Sequence, residues 1–168
     1  MSTLRVSPFG VAASLCLATA IFVGLAPVHL SPAHGEGQPE DIAEIIAEAA
    51  QVCRTQGGKP DTAAILSGDD LNGDGSSDWI ADFARLKCDG AANPACNASG
   101  CMLHLYFWDG DATWDLVFED FVKSYKFSTS GDTRTMHVTT SGTPCNKPVE
   151  EACSYNYQLG ADAIAPVQ

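Results

Sequence analysis

Residues 68–80, GDDLNGDGSSDWI, hold the densest group of potential metal ligands in the chain. If Asp70 is position 1 of a loop, Asn72 takes position 3, Asp74 position 5 and Asp78 position 9. A hard dication such as Ca²⁺ takes roughly six to eight oxygen ligands, and these four residues would offer side-chain oxygens at alternate positions. Three carboxylates held close together repel one another unless a cation lies between them. The spacing therefore predicts a Ca²⁺-binding loop.

Two further residues suit this loop. Gly75, at position 6, permits the sharp backbone reversal that turns the oxygens inward, and the main-chain carbonyl of Ser76 would be another ligand. The alternative is an ordinary hairpin turn that binds no metal, because Asn-Gly and Asp-Gly are both common in such turns. We favour the calcium hypothesis because the positions of the pattern are filled in register.

The pattern D-x-N-x-D-G-x-x-D resembles the calcium loop of EF-hands, dockerins and the FG-GAP/VCBS-type β-repeats. EF-hands are the poorer match, because position 12 holds Ala81 where they carry a bidentate glutamate, and Trp79 and Ile80 favour a strand where they have a helix. In the FG-GAP-type repeats the loop joins two strands and the aspartate at position 9 binds directly, which implies that Asp78 is a ligand. Without the glutamate we expect weak affinity, roughly 10⁻⁴ to 10⁻³ M.

A broader resemblance covers roughly residues 65–160. The loop, the segment CDGAANPACNASGC at residues 88–101 and the later pair Cys145 and Cys153 are similar to features of small exported proteins of Gram-negative bacteria with no assigned function. This resemblance implies an extracytoplasmic location and no particular activity.

The sequence carries little sign of an active site. No serine-hydrolase elbow, zinc-protease motif or phosphate-binding loop occurs in it. His104 shares a strand face with Met102 and Tyr106, which predicts a core or half-buried histidine, whereas His137 is expected to be exposed. We therefore predict that the protein is not an enzyme, with a hydrolase that uses His104 as a distant alternative.

Six of the seven cysteines follow the N-terminal apolar run that contains Cys16. In an exported chain an even set predicts three disulfides. A zinc site is disfavoured because there is no C-x-x-C pair and no histidine at finger spacing. We favour a bond between Cys145 and Cys153, which would close a short loop. The pairing is left open among the other four, Cys53, Cys88, Cys96 and Cys101.

The N-terminus has the three parts of a secretory signal. Arg5 is followed by an uncharged stretch, residues 8–30, and then by small residues, with Ala33 and Gly35 placed for cleavage before Glu36. The alternative is an uncleaved anchor, because the apolar stretch is nearly long enough to span a bilayer. No basic cluster follows it as a stop, so we predict a periplasmic or secreted protein without stable membrane insertion after cleavage.

The charge of the chain limits its partners. Its 168 residues include 21 acidic and nine basic residues, for a net charge of −12. Such a field repels nucleic acids and anionic membrane surfaces. We therefore exclude nucleic acid, and expect bound cations, an unidentified protein or small-molecule ligand, or a basic protein as partner.

The periodicity of apolar residues predicts one helix followed by strands. Residues 39–56 carry a helical stripe of Ile42, Ile45, Ile46, Ala49, Val52 and Cys53. Strand patterns follow in TAAIL (62–66), DWIADFARL (78–86), CMLHLYFW (101–108), ATWDLVFEDF (112–121), KSYKFS (123–128), TRTMHVTT (133–140) and CSYNYQL (153–159). The segment between Cys88 and Cys101 is expected to be an irregular loop.

These elements predict an α+β fold, in which the N-terminal helix packs on an antiparallel β-meander of roughly six to seven strands cross-linked by disulfides. The predicted organisation is a signal peptide at 1–35, a single α+β domain at 36–160 and a flexible C-terminal tail at 161–168. The predicted function is a non-catalytic, calcium-binding structural or binding module of the cell envelope. The alternative is a secreted acidic inhibitor of a basic enzyme, of the lysozyme or protease class.

Overall fold

The computed structural model describes residues 37–110 and 113–167, which belong to one compact unit of the chain. The predicted signal peptide, 1–35, and its cleavage site therefore lie outside the described residues. No helix among the described residues is long and apolar enough to cross a membrane.

The predicted helix is confirmed as α1, Glu40–Thr55. Pro39 precedes its first turn, and Gly57 ends it with a φ of 85°, a conformation that favours glycine. Ile42 and Cys53 are completely buried. The apolar stripe that identified the helix in the sequence is therefore the face that packs on the sheet.

Eleven strands follow, and all of their pairings are antiparallel. They are β1 (Lys59–Asp61), β2 (Leu66–Asp69), β3 (Asp78–Asp82), β4 (Lys87–Asp89), β5 (Cys96–Asn97), β6 (Gly100–Trp108), β7 (Trp114–Val122), β8 (Ser124–Ser130), β9 (Thr133–Ser141), β10 (Ala152–Leu159) and β11 (Ile164–Pro166). Short 3₁₀ turns occupy Phe83–Arg85 and Thr143–Cys145.

The strands form three sheets. A two-stranded sheet pairs β1 with β4. The central sheet has the order β2-β3-β6-β5, with β7 also paired to β6, and the outer sheet has the order β11-β10-β9-β8. The predicted α+β class is confirmed. The number of strands exceeds the predicted six or seven because short strands such as β1, β4 and β5 lie in segments too short to show alternation.

The protein has three layers, with the central sheet in the middle. One face of this sheet packs against the outer sheet in an apolar core of Leu71, Ile80, Leu103, Leu105, Phe107, Phe118, Val122, Met136, Val138 and Leu159. The opposite face packs against α1 in a second cluster of Ile42, Ile65, Ala81, Phe83, Leu86 and Tyr106. Strand β6 contributes to both clusters, as its apolar sequence on both faces predicts.

Two strand predictions are wrong in detail. Residues 62–65 of the predicted strand TAAIL form a turn, and the strand begins at Leu66. In β7, a register shift opposite Leu105 and Tyr106 interrupts the predicted alternation of Trp114, Leu116 and Phe118. As a result Phe118 is buried in the sandwich while Leu116 is 43% exposed, because a bulge reverses the faces on which successive side chains lie.

The predicted C-terminal tail contains a strand. In β11 the backbone of residues 164–166 pairs with β10, where Leu159 lies opposite Ile164 and Tyr157 opposite Pro166. Ile164 also packs against the sandwich core. The segment is therefore part of the outer sheet up to residue 166.

Three disulfides cross-link the described residues, as the cysteine count predicts. Cys53–Cys88 joins α1 to β4, Cys96–Cys101 joins the facing strands β5 and β6, and Cys145–Cys153 closes the short loop before β10. The favoured Cys145–Cys153 pair is thereby confirmed. Gly58 is required beside the first of these bonds, because a Cβ there would lie 2.5 Å from the Cys88 sulfur.

Candidate functional site

The candidate metal loop connects β2 to β3. Asp69 and Asp78 form the last pair of that hairpin, so residues 70–77 project beyond the ladder. Gly73 and Gly75 have φ values of 88° and 89°, in the left-handed region that glycine occupies at little cost. The strand–loop–strand setting agrees with the expectation that the loop joins two strands.

Backbone N–H groups of the loop fold around its side chains. The Asp70 carboxylate accepts hydrogen bonds from the Gly73 N–H at 2.6 Å and the Gly75 N–H at 3.2 Å. Asn72 Oδ1 accepts from the Asp74 N–H at 3.0 Å, and Asp74 Oδ1 accepts from the Ser76 N–H at 2.6 Å. The bond from the Ser76 N–H lowers the pKa of Asp74. These contacts hold the oxygens of positions 1, 3 and 5 within one turn.

Asp78 points in a different direction, into the protein. It is completely buried, and its two oxygens accept hydrogen bonds from the Leu71 N–H at 2.9 Å and the Trp108 N–H at 3.0 Å. Burial raises the pKa of this carboxyl group despite both bonds. The side chain therefore fixes the base of the loop to the end of β6.

A cation that the sequence analysis missed lies against the loop. The Arg134 guanidinium donates to the main-chain carbonyl of Asp70, and its Nη2 lies 4.0 Å from Asp70 Oδ2. Asn72 Nδ2 donates to the carbonyl of Ala161 at 2.8 Å. Alternation along β9 places Arg134 on the same face as Met136 and Val138. A basic residue on this inward face was the only sequence signal for the contact between Arg134 and the loop.

The structure therefore brings together Asp70, Asn72, Asp74 and Ser76, and it holds the carboxylate of Asp78 at the base of the loop, hydrogen-bonded to the N–H groups of Leu71 and Trp108. Within residues 37–110 and 113–167, no three His, Cys, Asp or Glu side chains form a group ready to hold a metal ion. Metal binding at this loop stays a prediction that requires the amide and main-chain oxygens in addition to the carboxylates.

His104 belongs to a buried polar chain between α1 and the central sheet. The side chain is only 2% exposed, its Nδ1 lies 3.2 Å from the Tyr106 hydroxyl, and that hydroxyl donates to the Asp41 carboxylate at 3.1 Å. Burial lowers the pKa of His104 and raises that of Tyr106. A hydrolase centred on His104 is disfavoured, because a substrate could not reach this imidazole without separation of the helix from the sheet.

Two open clefts flank this region. One, with a volume of about 320 Å³, is lined by Asp82, Arg85, Lys123 and Tyr125, among others. Asp82 accepts hydrogen bonds from Arg85 Nε and from the Tyr125 hydroxyl, both at 3.1 Å, and burial is the main cause that raises the pKa of Tyr125 to about 12. Because Asp82, Arg85 and Tyr125 bind one another and Lys123 donates to the Val149 carbonyl, this cleft presents few free partners to a ligand.

The second cleft, of about 280 Å³, lies between α1 and the central sheet. Its walls are almost entirely apolar, formed by Ile45, Ala49, Val52, Phe83, Pro94, Ala95, Met102 and Phe121, with Glu48 as the one charged side chain. The described residues that line this cleft do not include the convergent polar groups that usually orient a small ligand.

No protein-family model, curated protein sequence or solved structure matches this chain. Function is therefore inferred from the geometry of its own side chains.

Proposed function

We propose that the protein is an exported, disulfide-stabilised structural or binding module in which the β2–β3 loop binds one Ca²⁺. The observation that carries this proposal is the folded arrangement of Asp70, Asn72 and Asp74, whose oxygens are held within a single turn by backbone N–H groups. A carboxylate or amide oxygen that accepts one hydrogen bond retains lone pairs for a metal ion.

The charge balance of the loop also favours a bound cation. Among the ion pairs of the described residues, only one involves the three carboxylates of the loop, and it joins Arg134 to Asp70 at 4.0 Å. Burial disfavours the charged form of Asp78, and the nearby charge of Asp74 adds to this effect. A divalent cation at the loop would offset both contributions.

The geometry of the loop supports the following assignment of ligands. Asp70, Asn72 and Asp74 would supply side-chain oxygens and Ser76 its carbonyl, while Asp78 would stabilise the ion from the base of the loop or bind it after a small reorientation. Weak affinity, roughly 10⁻⁴ to 10⁻³ M, suits an extracellular module. At that strength the ion acts as a clip that holds the hairpin, the start of β9 and the turn before β11 together.

The three disulfides support export to an oxidising compartment, the periplasm or the extracellular space. Such cross-links are rare in proteins of a reducing cytosol. Export is tested by expressing the full chain in a bacterium and determining the N-terminal residue of the mature protein. A mature N-terminus at Glu36 is the expected result, and an uncut chain in the membrane fraction would contradict it.

Melting temperature tests the calcium proposal. With a Kd of about 1 mM, about 10 mM Ca²⁺ would stabilise the fold by roughly 1.4 kcal/mol, which raises the Tm of a chain of this size by roughly 5 °C. Asp70→Asn should abolish the increase. Asp69→Asn is the matched control, because it removes the same charge from the neighbouring exposed residue outside the pattern. Equal melting of the unmodified protein in Ca²⁺ and in chelator would refute the proposal.

One observation favours the alternative, an acidic inhibitor of a basic enzyme. Among the described residues β7 pairs only with β6, and it exposes Asp115, Glu119 and Asp120 along this edge. An unpaired acidic edge is suited to a basic, extended segment of a partner. Capture of lysozymes or basic proteases that weakens with salt and is lost in Glu119→Lys would support inhibition, and failure to capture any of them would exclude it.

A further inference from the structure

The outer face of the outer sheet carries a cluster that the loop does not involve. In β9, Met136 and Val138 point into the sandwich core, so His137 between them lies on the opposite, solvent-facing side. It faces Lys126 of β8 and Asn156 of β10 directly across the ladder, and Ser128 lies two residues further along β8, opposite Thr135.

Three of these side chains form a continuous hydrogen-bonded chain. Ser128 Oγ lies 2.7 Å from His137 Nε2, and His137 Nδ1 lies 2.7 Å from Asn156 Oδ1. Because the Asn156 amide oxygen can only accept a hydrogen bond, the neutral imidazole that makes both contacts carries its proton on Nδ1. Nε2 is then the acceptor for the Ser128 hydroxyl proton, which is the arrangement a serine nucleophile requires.

We propose that Ser128 is a nucleophile activated by His137, with Asn156 as the positioning residue, and that the cluster hydrolyses small carboxylic esters. The Ser128 side chain is exposed, and the open sheet face admits substrates that need no enclosed pocket. This activity is separate from the calcium loop and does not depend on it.

The proposed ester hydrolysis has two steps, acylation of Ser128 and hydrolysis of the acyl-serine. Ser128 Oγ bonds to the ester carbonyl carbon while its proton moves to His137 Nε2, and the alcohol leaves with that proton as the carbon–oxygen bond breaks. Water then attacks the acyl-serine and transfers a proton to Nε2. The bond to Ser128 Oγ breaks, the serine recovers its proton, and a carboxylic acid is released.

Lys126 defines the class of ester. At the alternate, outward positions of β8, β9 and β10 it is the one side chain with a full charge, and it lies on the same face as Ser128, with its Cα paired with that of His137. A cation there stabilises the oxyanion of the tetrahedral intermediate. It also favours esters with an anionic acyl group, such as a hemisuccinate.

Labelling with a fluorophosphonate tests the nucleophile, with peptide mass mapping of the modified residue. Full-length protein in chelator should be modified at Ser128. Ser128→Ala should not be labelled, and His137→Phe should be labelled at least about 100-fold more slowly, because a general base typically contributes that much. Ser130→Ala, which changes an exposed serine two residues along the same face, should react like the unmodified protein. Absence of labelling, or labelling unaffected by His137→Phe, would overturn the proposal.

Ester hydrolysis tests the role of Asn156. Asn156→Leu should slow release of 4-nitrophenol from its hemisuccinate ester. Asn156→Asp should restore the rate and move the pH–rate profile to higher pH, because a carboxylate stabilises the imidazolium that forms at His137. A side chain with a purely structural role would not shift that profile.

Lys126→Gln should reduce the preference for the hemisuccinate over the acetate ester, and an unchanged preference would exclude Lys126 as the group that selects the acyl chain. Because all of these assays are made in chelator, their failure leaves the calcium proposal intact.

Discussion

The two faces of β6 differ in whether the buried polar groups beside them have hydrogen-bond partners. Towards the outer sheet, Leu103, Leu105 and Phe107 are at most 2% exposed and enter an apolar core. Asp78 lies on this same side of the central sheet, and both of its oxygens are hydrogen-bonded. The face therefore contains apolar groups and a polar group with partners.

On the face towards α1, several buried polar atoms of the described residues have no hydrogen-bond partner. Within the described part of the chain, three buried polar atoms lack a hydrogen-bond partner, namely Trp79 Nε1, His104 Nε2 and Trp114 Nε1. All three residues lie on the helix side of the central sheet, where Trp79 and Trp114 pack against the second cluster. Each such atom costs roughly 1 to 3 kcal/mol. The comparison indicates that the sandwich sets the stability of the fold, whereas the helix interface is more sensitive to conditions.

The largest expected effect is the loss of a sandwich side chain. Leu105→Ala should lower the free energy of unfolding by about 4 kcal/mol, because it removes a fully buried side chain and leaves a cavity. Met102→Ala on the opposite face of β6 is the control and should cost much less, since Met102 is only partly buried. Urea denaturation measures both. Equal losses would contradict the proposed difference between the faces.

A smaller effect is expected at the polar residue of the sandwich side. Asp78→Ala leaves the N–H groups of Leu71 and Trp108 buried without an acceptor, which should cost about 3 kcal/mol. Asp69, its exposed partner across the β2–β3 hairpin, provides the control, and Asp69→Ala should have little effect. If both variants unfold at the same urea concentration, the two hydrogen bonds do not stabilise the base of the loop.

The smallest expected effect is a pH dependence of the helix interface. Burial lowers the folded-state pKa of His104 below its unfolded value of about 6.5, so the unfolded chain binds a proton more readily. Stability is therefore complete above about pH 6.5 and declines as the pH falls towards the folded pKa. Glu119 of β7 and Asp41 of α1 face this histidine and reduce the decline.

His104→Gln should remove that decline between pH 7 and 5, as measured by urea unfolding at each pH. His137→Gln changes an imidazole that lies on the outer face and should retain it. If the free energy of unfolding depends on pH in the same way in the unmodified protein and in His104→Gln, protonation of His104 does not affect the stability of the helix interface.

Local patterns in the sequence were sufficient for the helix, the class of fold, the number of disulfides and the Cys145–Cys153 pair, whereas the pairing of the other four cysteines came from the structure. The stripe from Ile42 to Cys53 repeats at the helical period, and β6 is apolar on both faces because it has a layer on either side. The short loop between Cys145 and Cys153 favours a bond between these two residues, and the structure contains that bond. Each of these features depends on residues that are close together in the sequence.

The remainder depends on contacts between distant residues. The sequence places Asp78 in a loop pattern, but its bond to the Trp108 N–H exists only because β6 ends beside the hairpin. Arg134 lies 64 residues from the carbonyl that it binds. The bulge in β7 has neither glycine nor proline to mark it, so the exposure of Leu116, on a different face from the buried Phe118, could not be foreseen from alternation.

The covalent bond between Cys53 and Cys88 lies near the C-terminal end of α1, so the two ends of the helix are not equally free. If α1 separates from the sheet, it must rotate about its disulfide-bonded C-terminal end, so that the first turn, which contains Asp41, moves furthest. Tyr106 and His104 would meet water while the sandwich beneath them stays folded. Hydrogen exchange should accordingly be fastest at the first turn of the helix and slow towards the tethered one.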